Sequence, residues 1–206
     1  MAASCRDVLD ESERVRAAAF LSPRDQQRYT VAHGVLRILA ARELGARPSE
    51  LTWSLGQYGK PELAPPWSGL CTSLSHSGDM IVAAVAAGRP VGVDIQHLVH
   101  GLHMVALASR FYPHAEAAYI AAGSDERARA ERFTHLWTRK EAAVKAAGGR
   151  LWSNLGITVL NRDVVTCASP AGDQRVANVT VPAGFRAAVA LSGTAPFVTD
   201  AAPWPG

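Results

Sequence analysis

Two long stretches of this chain carry clear helix punctuation, and the rest has to be arranged around them. In the first, Ser22 stands where an N-cap hydroxyl is wanted, Pro23 takes the first helical position and Asp25 follows in the first turn. The predicted helix runs to Leu44 and closes on Gly45. Its apolar stripe is Ala32, Val35, Leu36 and Leu39, with Arg28 one turn earlier on that stripe. Arg37 falls on the opposite side and is expected in solvent. The second stretch covers 125–147 and stops at Gly148-Gly149. A shorter helical pattern, 9–20, precedes the first helix. Another, 102–122, precedes the second and is broken at Pro113.

Strand patterns fill the remainder: 51–58, 70–76, 80–87, the Val91–Ile95 run, 155–160, 174–181 and 185–191. His76-Ser77-Gly78-Asp79 reads as a hairpin turn. Helices and strands mixed in this order predict an α+β fold. The chain is expected to divide near Pro90 into 1–90 and 91–193, followed by a flexible proline-rich tail, 194–206.

With 206 residues, 48% of them hydrophobic, the chain can bury a core without staples. A net charge of +3 with scattered arginines argues against a nucleic-acid-binding module. Lysine is rare: Lys60, Lys140 and Lys145 are the only ones. Cys5, Cys71 and Cys167 are odd in number and far apart, so neither a disulfide framework nor a zinc site is expected. They read as reduced thiols of a cytoplasmic protein. The N-terminus turns acidic at once and has no signal-peptide pattern, and the longest strongly apolar run, Met80 to Ala87, falls far short of the ~20 residues that span a bilayer.

Three segments carry chemistry. In Val91-Gly92-Val93-Asp94-Ile95-Gln96 the apolar residues alternate onto one strand face, leaving Gly92, Asp94 and Gln96 on the other. Aspartate is depleted within strands, and a glycine beside it is expected to clear space for a ligand. An aspartate capping a turn at a strand end is the plainer alternative. In the second long helix Trp137, Glu141 and Lys145 are spaced i, i+4, i+8 and share one side, although a Glu–Lys pair at this spacing is also an ordinary surface feature. The third segment is Ser73-Leu74-Ser75-His76-Ser77-Gly78. A Ser-His-Asp hydrolase using Ser75, His76 and Asp94 is disfavoured, because adjacent strand residues point to opposite faces and no GxSxG elbow exists.

Gly59-Lys60-Pro61, Ser75-His76-Ser77, Gly92-Val93-Asp94-Ile95 and Trp137-Thr-x-Lys-Glu141-Ala-x-x-Lys145 occur in that order. Together they resemble the motif series of the phosphopantetheinyl transferases, in the larger monomeric class typified by the activator of surfactin synthetase. The upstream R-x-R-x-x-x-F and D-x-x-R patterns of residues 9–37 resemble that class too.

The resemblance implies a pseudo-twofold pair of α/β subdomains with coenzyme A in the cleft between them. It implies transfer of the 4′-phosphopantetheine group from coenzyme A to a serine of an apo acyl or peptidyl carrier protein, with no part for nucleic acid or membrane. A non-catalytic coenzyme A-binding relative is the alternative. Asp94 and Glu141 match the family ligands for Mg²⁺, with Mn²⁺ as an alternative ion, and Gln96 stands at a third position that is often glutamate. Lys145 matches the lysine at the reacting phosphate. Glu141 is the expected proton acceptor, directly or through water. Arg16, Arg28 and His76, assisted by Ser75, are expected at the 3′-phosphate, and Lys60 within the Gly59–Pro61 turn near the adenine and its phosphates. Glu13, where relatives carry a base, is expected to face solvent and leave one cation fewer.

Overall fold

The computed structural model describes residues 2–56 and 60–204, so Gly59 of the expected turn lies outside them. The elements are α1 (Ala2–Asp7), α2 (Glu11–Ala18), α3 (Pro23–Leu44), β1 (Trp53–Leu55), β2 (Pro61–Leu63), β3 (Leu70–Ser77), β4 (Met80–Ala87), β5 (Val91–His97), α4 (Leu102–Phe111), α5 (His114–Ala121), α6 (Glu126–Ala147), β6 (Val164–Ala168), β7 (Ala171–Val179) and β8 (Phe185–Ser192). The fold is α+β, with every strand pair antiparallel: hairpins β1–β2 and β3–β4, and a four-stranded sheet in the order β5-β8-β7-β6.

The punctuation explains the long helices. Ser22 Oγ accepts from the Asp25 amide at 3.4 Å, and Gly45 closes α3 at φ +61°. Asp125 caps α6 by accepting from the Ala128 amide at 2.7 Å, and Gly148 ends it at φ +72°. Left-handed backbone of this kind is cheap only for glycine.

α6 lies across the four-stranded sheet. Its buried Leu136, Ala142, Val144 and Ala146 join Val165, Val176, Ala188 and Ala190 in the main core. Gly92 makes this approach possible. A Cβ there would stand 2.1 Å from Ala142 O and 2.4 Å from Ala146 N. The space expected for a ligand is therefore filled by the backbone of α6, and the sequence expectation is corrected. Within the tail, Phe197 packs against the cluster of Val91, Val93 and Val189.

Residues 155–160 do not form the expected strand. The amides of Val159 and Leu160 instead donate to Glu116 Oε1, at 2.5 and 2.9 Å, so a buried carboxylate takes the place of a neighbouring strand. β6 instead begins at Val164.

Glu13 and Arg37 were both expected outside, and both are inside, at 7% and 1% exposure. Arg37 does face away from the apolar stripe of α3. That side, however, is covered by α2 and by the turn at 48–51. Its guanidinium donates to Glu13 Oε2 at 2.5 Å, to the carbonyls of Pro48 and Leu51, and to Asp10. A planar five-donor group is suited to this many acceptors, which is how a buried cation is tolerated.

β3 runs alongside β5, and the two are joined by hydroxyls. Ser73 Oγ accepts from the Val93 amide, Ser75 Oγ from Ile95 and Ser77 Oγ from His97, at 3.0, 3.3 and 2.9 Å. On the same side of β5, Lys60 Nζ donates to Val91 O at 2.7 Å and Lys145 Nζ to Val93 O at 3.1 Å.

Candidate active site

A cleft of about 470 Å³ opens between α3, β3 and the end of α6. It brings together Arg16, Arg28, Lys60, Pro61, His76 and Lys145 from five separate places in the sequence. Arg28 sits beside Asp25, which it meets at 2.7 Å. His76 is exposed on the cleft side of β3, while Ser75 is buried on the other. Burial pushes the His76 imidazole below its ordinary pKa, and the positive charges of Arg28 and Lys145 push it further. A dianionic ligand would reverse both charge effects. Lys60 is also held below its usual pKa by burial, with a smaller contribution from Lys145. It spends two hydrogen bonds on Val91 O and Lys145 O, at 2.7 and 2.9 Å, and an ammonium has three to give.

The inner end of the cleft is Lys145. From the last turn of α6 its Nζ reaches Asp94 Oδ1 at 2.7 Å. Ser75 donates to the same oxygen at 2.7 Å, so the carboxylate of this strand residue is fixed from two sides. Asp94 Oδ2 is buried and has no partner. Glu141, one turn before Lys145, is the neighbouring carboxyl. Burial raises its pKa, Lys145 opposes that, and the charge of Asp94 adds to it. Gln96 follows two residues along the strand, half-buried.

A buried carboxylate oxygen without a donor, beside a second desolvated carboxyl, is unfavourable unless a cation shares the site. Hard oxygen donors of this type fit Mg²⁺, which takes one or two carboxylates and fills its remaining positions with water or phosphate oxygens. Among the described residues no group of three or more His, Cys, Asp or Glu is gathered for a metal, so any ion here would rest on this pair.

Ser75 and His76 form no nucleophile–base couple: they face opposite ways and the Ser75 hydroxyl is committed to Asp94 and Ile95. Trp137 turns from the cleft and stacks on Phe133 at 5.7 Å in the core. Sequence reasoning missed Phe20, Tyr29, His33 and Thr72, all of which line the cleft. Tyr29 and His33 lie one helical turn apart beside Arg28, and that i, i+4 spacing was the available signal.

The sequence profile of the 4′-phosphopantetheinyl transferase superfamily matches residues 90–184, the segment that supplies Asp94, Glu141 and Lys145. Over that segment the chain is similar to this superfamily. It is 33% identical over 143 residues to the 4′-phosphopantetheinyl transferase HetI of Nostoc sp., covering 68% of this chain and 60% of that protein. It is 30% identical over 141 residues to a 4′-phosphopantetheinyl transferase of Bacillus subtilis, covering 68% of this chain and 61% of that one. Similarity to the Sfp transferase of Bacillus subtilis is 26% over 152 residues, covering 68% and 66%. The chain thus spans about three fifths of the length of the first two relatives. No helix among its described residues is long and apolar enough to cross a membrane.

Proposed function

We propose that this protein transfers the 4′-phosphopantetheine group of coenzyme A to a serine hydroxyl of an apo carrier protein, releasing 3′,5′-ADP. The observation that carries the reading is the join at Lys145, where a cation-lined cleft of nucleotide size ends on the Asp94–Glu141 carboxylate pair. The match of residues 90–184 to the superfamily supports it.

In this reading Arg16, Arg28, Lys60 and His76 hold the nucleotide end of coenzyme A. Guanidinium groups suit phosphate because they donate parallel hydrogen bonds. Ser75 positions Asp94. The serine oxygen of the carrier forms a bond to the phosphorus bearing pantetheine as the bond to the nucleotide oxygen breaks. Charge builds on the leaving 3′,5′-ADP, and Lys145 Nζ stands at the end of the cleft to stabilise it. Glu141 takes the serine proton, directly or through water. Asp94 and Glu141, with Gln96 next along the strand, would hold Mg²⁺, which when bound supplies electrostatic stabilisation of the diphosphate. The reading extends to a monomeric cytoplasmic enzyme serving acyl and peptidyl carriers, and three free cysteines accord with a reducing compartment.

Mass spectrometry of an apo carrier protein after incubation with this protein, coenzyme A and Mg²⁺ tests it. The expected result is one added phosphopantetheine, lost with a chelator. Coenzyme A binding without any gain on acyl and peptidyl carriers would instead make this a non-catalytic relative.

A further inference from the structure

Glu13 stands where the resemblance to the transferases leads one to expect a cation. Its carboxylate is divided among three partners. Oε2 accepts from the buried Arg37 at 2.5 Å and from the Asp10 amide at 3.1 Å. Oε1 meets His33 Nδ1 at 3.2 Å. Arg37 is itself fixed by the carbonyls of Pro48 and Leu51, so the carboxylate cannot easily turn away. The His33 ring is held on a second side by Tyr29, stacked at 4.0 Å with 24° between planes. The Arg16 guanidinium stands 6.0 Å from the far ring of that stack. His33, Tyr29, Arg16 and Arg28 all line the cleft.

We propose that His33 is a further ligand-binding residue of this cleft, donating from Nε2 to the 3′-phosphate of the nucleotide, with Glu13 as its positioning residue. The proposal rests on the coenzyme A reading above. With Nδ1–H directed at a carboxylate, Nε2 is the ring atom left for a ligand. In the doubly protonated ring both nitrogens are donors, one to the carboxylate and one to the phosphate. The charge that the sequence loses at position 13 is thereby restored from α3, one turn beyond Arg28 and Tyr29. Two other accounts of the pair are weaker. A simple clamp between α2 and α3 needs no histidine facing the cleft. An adenine platform is served by Tyr29 without Glu13.

The test is nucleotide binding by titration calorimetry on the full chain, with 3′,5′-ADP and 5′-AMP as probes. His33→Gln is expected to weaken 3′,5′-ADP roughly tenfold, the worth of one charge-assisted hydrogen bond, and to leave 5′-AMP within about twofold. Glu13→Gln should weaken 3′,5′-ADP in the same sense. The double variant should bind no worse than His33→Gln alone, because the two groups act through one contact. If Glu13→Gln unfolds through loss of the Arg37 pair, His33→Gln with nitrogen-labelled histidine decides. In the wild type, 3′,5′-ADP but not 5′-AMP should move a ring resonance that is missing from the variant. Equal losses for both nucleotides, or none, would overturn the His33 assignment while leaving the coenzyme A reading intact. A wild-type protein that binds neither nucleotide overturns that reading and the assignment with it.

Discussion

Glu116 and Asp94 are both buried carboxylates that face a lysine of α6, and they are treated in opposite ways. Glu116 is 0% exposed, as is its partner Lys140, and their charged atoms meet in an ionic contact at 2.7 Å. Its other oxygen takes the amides of Val159 and Leu160. Lys140 also donates to Ile157 O and lies 4.3 Å over the Tyr112 ring. Burial pulls the Lys140 pKa down, and Glu116 pulls it back. Asp94 has one oxygen held by Ser75 and Lys145, and the other has nothing. A like-charged neighbour, Glu141, stands by it. Lys140 and Lys145 are five residues apart, roughly 140° around the helix, so one helix serves a closed charge pair on one side and an open one on the other. The closed pair ties α5 and the 157–160 segment to α6. The open pair is where the proposed cation and phosphate would bind.

The strongest way to break this comparison is to neutralise each carboxylate. Asp94→Asn should lower turnover by about a thousandfold or more while melting no earlier than the wild type. Glu116→Gln should do the reverse, keeping turnover per folded molecule and losing melting temperature. Equal thermal losses in both would show that Asp94 is as structural as Glu116.

Next in size is the effect of removing the lysine. Lys140→Ala leaves Glu116 as an uncompensated buried charge and should cost about 3–5 kcal/mol in urea unfolding. Lys140→Met with Glu116→Gln should recover part of it, since no charge is left unpaired and the side-chain amide oxygen still accepts from Val159 and Leu160. Lys145→Ala, with its partly exposed ammonium, should cost less stability than Lys140→Ala and most of the turnover. A large stability loss from Lys145→Ala would close the distinction between the two sites.

The smallest expected effect sharpens the open site. A carboxyl whose folded pKa is raised contributes stability that is full at low pH and is lost as pH rises through the raised value. The metal-free protein should therefore weaken as pH climbs through the Glu141 range, and Glu141→Gln should remove that dependence and melt slightly higher at neutral pH. Thermal scans across pH with a chelator would show it, and identical profiles for the two proteins would mean that Glu141 is not strained.

The comparison also marks what could be read beforehand. Asp94, Glu141 and Lys145 were legible because each stands in a distinctive local pattern, and both long helices were legible from their caps. The closed pair was not. Glu116 and Lys140 look like any exposed charges until α5 is laid against α6, and the residues that Glu116 captures looked like a strand. Arg37 and Glu13 were misplaced for a related reason. Helical periodicity reports which side of α3 is apolar, but a second helix covering the polar side does not show in it. Gly92 made room for a neighbour that lies fifty residues later in the chain. In each case the missing information was tertiary contact between distant segments.

The hydroxyl ladder between β3 and β5 has a consequence for the protein outside its folded, working state. β5 is the outermost strand of its sheet, and the amides of Val93, Ile95 and His97 are covered by the serines of β3 instead of by another main chain. Hydroxyls satisfy those amides while offering no strand register for a stranger to copy. Should the β3–β4 hairpin detach, an apolar edge carrying Val91, Val93 and Ile95 would be bared to other molecules, and such edges recruit strands. The three serines thus guard against self-association, and the hairpin's departure is the event most apt to start it.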